Sequence, residues 1–272
     1  GNCCGFNQPS FDLVNAFRTS SGLPLLDNSY NDDANAVKHD YGVEADVAFE
    51  PDGGPLDPRL DHSVGRRGIP YLDWIPHPGK AWIRNQTYAG PFSPKKYIYY
   101  KSQENTLTDG SSWTRGYATM NYTIIRYADV LLMAAEAEVE VGSLEKAREY
   151  VNLVRARAAN SDHWVKNADG TNAADYQIEL YNDAWTDQGT ARTAVRFERR
   201  LELSGEGHRF FDLVRWGIAG ETLNAYLANE AKILVTKFGG ASFTTGKNEY
   251  FPIPQEQIDI QGSDVLTQNP GY

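Results

Sequence analysis

The sequence predicts a mainly α fold built on TPR-like helical hairpins and carrying long irregular loops. Three observations predict it. Apolar residues keep helical spacing through NYTIIRYADVLLMAAEAEVEVG and resume that spacing beyond Gly142 and Ser143. A second helical stretch, Arg192 to Gly217, carries its charges in stripes. Residues 1–117 are broken repeatedly by Pro, Gly, Asn and Asp, as in PDGGPLDP and HPGK, which read as turns. The expected organisation is a single region, 1–272, with a loop-rich portion over 1–117 and a helical body over 118–272 closed by a C-terminal strap.

In chain order, Ser10 is suited to cap a helix over SFDLVNAFR, where Phe11, Val14 and Phe17 share a face. KKYIYYK (95–101) alternates enough for a short strand or extended segment. From Asn121, the residues Ile124, Tyr127, Ala128, Leu131, Ala135 and Val139 form one apolar stripe. Gly142 ends that helix and Ser143 caps the next, whose stripe is Leu144, Ala147, Val151, Val154 and Ala158. Residues 160–189 are polar, with a short helix expected over 174–182. Gly220–Thr236 reads as a further helix with Leu223, Leu227 and Leu234 inward. The Pro-rich tail reads as an irregular strap pinned by Phe251, Ile253 and Ile258.

Composition sets limits on function. Lys and Arg total 26 against 36 Asp and Glu, a net charge of -10. Nucleic-acid binding needs a basic footprint and is excluded, as is electrostatic association with anionic headgroups. The 16 Tyr and 6 Trp offer flat, amphipathic faces. Cys3 and Cys4 are adjacent and make neither a disulfide framework nor a metal pair. The histidines show no metal-ligand spacing, ASFTTGK fails as a phosphate loop, and no nucleophile elbow occurs. Asp27, Ser29, Asn31 and Asp33 imitate the start of a calcium loop, but Asp32 and Lys38 stand where that loop needs Gly and Glu. No catalytic group, cofactor or metal is expected. The chain begins at Gly1 with no apolar leader, and the expectation is a mature fragment or part of a longer protein.

Arg192–Gly217 holds the densest charge. Arg192, Arg196 and Arg200 form one stripe, and Glu198, Glu202 and Glu206 another. Like charges four apart repel by a few tenths of a kcal/mol, roughly, so both stripes require partners. Arg209, Asp212 and Arg215 follow with the acid between two bases. The expectation is a structural ion-pair hub of Arg199, Glu202, Glu206, Arg209, Asp212 and Arg215 rather than a catalytic centre.

The run ERRLELSGEGHRFFDLVRWG resembles the hallmark of the RagB/SusD family, glycan-binding lipoproteins of Bacteroidetes outer membranes. NQPSFDLVNAF followed by SGLPL, the tripeptide Asp57-Pro58-Arg59, the hairpin RYADVLLMAAEAEVEVGSLEKAREYVNLVRARA and the closing Gln268–Tyr272 resemble other segments of the family. The resemblance implies the C-terminal portion of a SusD-like α/α superhelix, with 1–117 as its ligand-facing part. It also implies a non-catalytic, cell-surface protein that captures oligosaccharide or polysaccharide and delivers it to a SusC-like TonB-dependent transporter. Its membrane attachment would be a lipid anchor outside this chain. A peptide-binding RagB-type relative, a glycan-active enzyme and an intracellular TPR scaffold remain alternatives. Candidate contacts come from residue type and loop context alone. Tyr71, Trp74 and Trp82 in YLDWIPHPGKAW, and Trp113 in SSWTRGY, either cap a core or offer stacking faces to sugar rings. Asp73, Arg84, Asn85 and Gln86 stand beside them as partners for hydroxyls.

Overall fold

The computed structural model describes residues 5–108, 119 and 121–272 and divides into two compact units, Gly1–Gly207 and His208–Tyr272. The architecture is mainly helical, with little sheet.

In the first unit the chain opens with α1 (Phe11–Asn15), whose Ser10 side chain accepts from the Leu13 N–H. Phe11, Val14 and Phe17 are buried, as their shared face requires. Two short two-stranded pairings follow, the first a hairpin. β1 (Thr19–Ser20) pairs antiparallel with β2 (Leu23–Pro24), placing Thr19 opposite Pro24. A short helix, α2 (Leu60–Ser63), runs into β3 (Val64–Gly65). After α3 (Gln86–Ala89), β4 (Ser93–Pro94) pairs antiparallel with β3, Val64 opposite Pro94. KKYIYYK, expected as a short strand or extended segment, begins just beyond β4 and turns at residues 96–97, with Lys95 buried.

The core of this unit is a three-helix layer. α4 (Tyr127–Val141) and α5 (Leu144–Ala158) form the expected hairpin, with Gly142 ending the first helix and the Ser143 side chain accepting from the Lys146 N–H. α6 (Gln188–Glu202) lies against both. Leu131, Leu132, Ala135 and Val139 interleave with Ala147, Val151 and Val154 and with Ala191, Ala194 and Val195. Alanines and valines on the facing stripes let the helices approach closely. α4 starts later than its periodicity suggests, at Tyr127. Ile124 and Tyr127 are 76% and 73% exposed, so the buried stripe begins only at Leu131.

The expected helix over 174–182 is not formed. That segment runs extended: Leu56 N donates to Asp175 O, Gln177 N to Leu56 O, and Glu179 N to Gly22 O. Buried Tyr176 and Tyr181 point into the layers beneath, and satisfying backbone groups against two older loops outweighs a weak helical propensity. The acidic loop at 27–33 forms a 3-10 turn over Asn28–Asn31, capped by Asp27, whose carboxyl is lowered by the Ser29 side-chain and backbone donors. Asn31 donates to Asp12, so these residues serve the fold locally.

The second unit contains α7 (Arg209–Arg215), α8 (Ala219–Ala231), α9 (Val235–Phe238) and α10 (Gln255–Gln261). Leu234 is buried, while Leu223 and Leu227 are only half-buried. The tail departs from the expected irregular strap, because α10 forms within it beyond Pro254. Phe251 is 84% exposed and pins nothing; Ile258 alone of the three expected anchors is buried. Polar contacts hold the tail instead: Gln268 pairs with both backbone groups of Ile253, and Asn269 donates to Phe251 O.

Candidate functional site

An open cleft of about 510 Å³ lies among the loops of the first unit. Tyr71, Trp74, Trp82 and Arg84 line it together with Phe6, Ile83, Ile98 and Tyr99. Its walls are largely aromatic, and Tyr71, Trp74, Trp82 and Tyr99 are fixed by edge contacts. The Tyr71 and Trp82 rings lie 5.5 Å apart at 79°, and those of Trp74 and Tyr99 5.6 Å apart at 72°. The Trp74 indole N–H donates to Tyr99 O at 3.2 Å, and the Tyr71 hydroxyl donates to Pro94 O. Tyr71 is buried and forms the base; Trp82 is 40% exposed and presents its ring to solvent.

Beneath the rings sits His77, 1% exposed. Its Nδ1 accepts from the Gly79 N–H at 3.0 Å, which places the proton on Nε2 for donation to Ser93 Oγ at 2.8 Å. Burial and then Lys95 push its pKa down to about 4, so the imidazole is neutral at neutral pH. Burial likewise pushes Lys95 down to about 8. Its ammonium donates to Asp61 O and Pro70 O, tying the start of the aromatic loop to α2. Asp61 in turn holds Arg66 and the Tyr176 hydroxyl. Gly65 is required under this floor: a Cβ there would meet the Tyr71 ring at 2.5 Å.

The other expected contacts have structural work. The Asp73 carboxylate accepts from the N–H groups of Lys101 and Ser102, capping a 3-10 turn. Asn85 caps α3 by accepting from Thr87 N at 2.9 Å. Gln86 is buried, with Oε1 taken by Gly42 N at 2.8 Å, so it is corrected from hydroxyl partner to packing residue. None of these three lines the cleft. Trp113 lies outside the described residues. Phe6, Ile98 and Tyr99 were missed by sequence reasoning. For Ile98 and Tyr99 the signal available is the tyrosine run in KKYIYYK, whose alternation points to a short strand or extended segment rather than to a site.

The charged stretch is organised differently. Glu198, 0% exposed, receives Arg59 Nη1 at 2.5 Å and Arg155 Nη1 at 2.9 Å. Arg59 also pairs with Asp57 at 2.6 Å, which explains the Asp57-Pro58-Arg59 tripeptide. Glu202 meets Arg59, Arg126 and Arg157; Glu206 meets Arg126 and Lys96. Burial would raise the Glu202 carboxyl, but Arg59, Arg157 and Arg126 together hold it down to about 2. Arg199 pairs with Asp129 at 2.8 Å, Arg200 with Asp12, and Arg192 with Glu140. These partners of the two stripes come from earlier in the chain. Within the second unit, Asp212 and Arg215 pair at 2.9 Å on α7.

A family model described as the SusD family matches residues 1–272. The chain belongs to the SusD family. Its curated relatives include SusD-like protein P25 of Formosa agariphila, 41% identical over 99 residues, covering 36% of this chain and 16% of that protein. SusD-like protein P2 of the same organism is 29% identical over 160 residues, covering 57% and 26%. Among solved structures, a SusD superfamily protein of Bacteroides vulgatus is similar at 26% identity and TM-score 0.54, covering 80% of this chain and 40% of that one. A SusD-like protein of Bacteroides fragilis shares the fold at TM-score 0.57 and 21% identity, covering 97% and 47%. This SusD-family chain therefore spans less than half of those solved structures, and its alignments with the curated relatives cover still smaller shares of them.

Proposed function

We propose that this chain forms the glycan-contacting portion of a non-catalytic cell-surface binding protein. The observation that carries the reading is the cleft in which Tyr71, Trp74, Trp82 and Arg84 converge. Aromatic faces suit the C–H faces of sugar rings, and rims of polar groups suit hydroxyls. Rings locked by mutual edge contacts lose little conformational entropy on binding. Family membership supports the reading, and one SusD-like relative of known structure from Bacteroides fragilis is described as a carbohydrate-binding protein. Delivery to a SusC-like TonB-dependent transporter, and a lipid anchor outside this chain, follow from the family reading. Within the cleft, Trp82 is the exposed stacking face, Trp74 and Tyr71 the wall and base, and Arg84 the hydroxyl partner.

The test is affinity electrophoresis through gels containing a panel of polysaccharides. The native protein is expected to be retarded by at least one, and Trp82→Ala to weaken that retardation by about tenfold in Kd. Retention by no polysaccharide, with binding to peptides in parallel titrations, would replace the reading with the peptide-capturing alternative. Release of reducing sugar during incubation would make it an enzyme.

A further inference from the structure

A second cleft, of about 400 Å³, opens in the same unit beside the charged cluster. Its wall carries Arg59, Lys96, Arg126 and Arg157 against Glu202 and Glu206. Asp57 and Glu198 balance Arg59, which leaves three cations facing two carboxylates. The cleft thus carries a local excess of positive charge in a chain of net charge -10.

The cations differ in how fully they are used. Arg126 gives Nε, Nη1 and Nη2 to Glu202 and Glu206, and Lys96 donates to Glu206 and to Glu202 O. Arg157 gives only Nη2, to Glu202 Oε1 at 2.6 Å, and its side chain is 55% exposed. Its remaining guanidinium donors meet no acceptor among the described residues. Glu202 thus anchors one corner of a planar fork whose other edge faces solvent, the geometry that takes a carboxylate or sulfate through two parallel hydrogen bonds. Trp164 stands in the same wall. Its indole N–H donates to Ala158 O at 2.8 Å and its edge meets Tyr176, so the ring is held in place. The Lys166 ammonium lies 5.8 Å from the Trp164 centroid and adds a further positive charge at the ring.

We propose that this second cleft binds an anionic saccharide, with Arg157 gripping the sugar's carboxylate or sulfate and Trp164 bearing its ring. The site is separate from the aromatic cleft, shares no lining residue with it, and selects for charge where the first selects for shape. A polymer carrying acidic sugars at intervals would engage both clefts, whereas a neutral one would engage only the first.

The experiment is isothermal titration of the full chain with three size-matched probes: an oligogalacturonide, a sulfated galactan oligomer and a neutral galactan oligomer. The expected result is binding of at least one anionic probe that Arg157→Gln weakens by about tenfold or more and Arg157→Glu abolishes. Trp82→Ala should leave that binding in place. The two anionic arms report whether carboxylate or sulfate is the preferred charge. Because Arg157 is largely exposed, Arg157→Gln is expected to keep its circular dichroism and melting temperature, which are checked alongside; Arg157→Glu sets a second carboxylate beside buried Glu202, is expected to melt lower, and is titrated at a temperature where it is folded. The proposal is overturned if neither anionic probe binds, if Arg157→Gln leaves their affinity unchanged, or if Trp82→Ala removes it while Arg157→Gln does not. In the last case the aromatic cleft is the single site.

Discussion

At the scale of single residues, the charged stretch illustrates how burial decides the role of a charge. Glu198 is held by two guanidinium groups and is fully enclosed, so Glu198→Ala leaves Arg59 and Arg155 without that carboxylate in a desolvated site. Breaking a buried pair of this kind costs about 3–5 kcal/mol, and urea denaturation of the variant should show a loss of that size. A surface pair such as Lys146–Glu149 is half-exposed on both sides, and its removal should be nearly silent. Two buried groups contribute to the acid limit of stability, beside Asp61 and Glu206, whose carboxyls burial would raise but Arg66 and Arg126 hold below the usual range. His77 is held to about 4 from an ordinary 6.5, so its contribution is complete above pH 6.5 and is lost as pH falls through 4. Glu202 is held to about 2 from 4.5, so its contribution is present above 4.5 and is lost as pH falls toward 2. Melting temperature should therefore decline in two stages on acidification. Glu202→Gln should flatten the lower stage, and a profile unchanged by that substitution would count against the assignment.

At the scale of elements, the hairpin of α4 and α5 was the most legible part of the sequence. Its stripes alternate with the helical period, and Gly142 and Ser143 mark the turn with a stop and a cap. The misreadings have one cause: local pattern is overruled where tertiary partners are better. Ile124 and Tyr127 match the period, but Ile124 precedes α4, Tyr127 is its first residue, and both stay exposed. Residues 174–182 have helical propensity, yet their backbone groups bond to Leu56 and Gly22, more than a hundred residues earlier. The Pro-rich tail reads as irregular, although proline suits a helix beginning, and α10 starts directly after Pro254. Two substitutions gauge the hairpin. Ser143→Ala removes the acceptor for the Lys146 N–H and should cost about 1 kcal/mol. Leu132→Ala opens a cavity at a fully buried position and should cost about 2–5 kcal/mol, with thermal melting as the readout.

At the scale of the whole molecule, the aromatic cleft was half-legible for a related reason. Tyr71, Trp74 and Trp82 share one loop, YLDWIPHPGKAW, Arg84 lies just beyond it, and loop context sufficed to single them out. Asp73, Asn85 and Gln86 looked equivalent in sequence, because a polar side chain in a loop serves a cap as readily as a ligand. Phe6 and Tyr99 reach the same wall from distant segments, and only the fold brings them there. The buried ion pairs organise the helical body, and the exposed rings lie on loops fastened to it through Lys95 and Asp61. Stability and recognition should therefore separate by mutation. Trp82 is partly exposed and fastened only by ring edges, so Trp82→Ala should shift melting by no more than a few degrees while weakening glycan retention about tenfold. Glu198→Ala should do the reverse, lowering stability sharply while the fraction that stays folded binds with native affinity. A joint titration and melting series on both variants tests the division directly. Loss of affinity in folded Glu198→Ala would place the charged cluster in the glycan site, whereas crossed effects of the two variants would place recognition on the loops and stability in the helices.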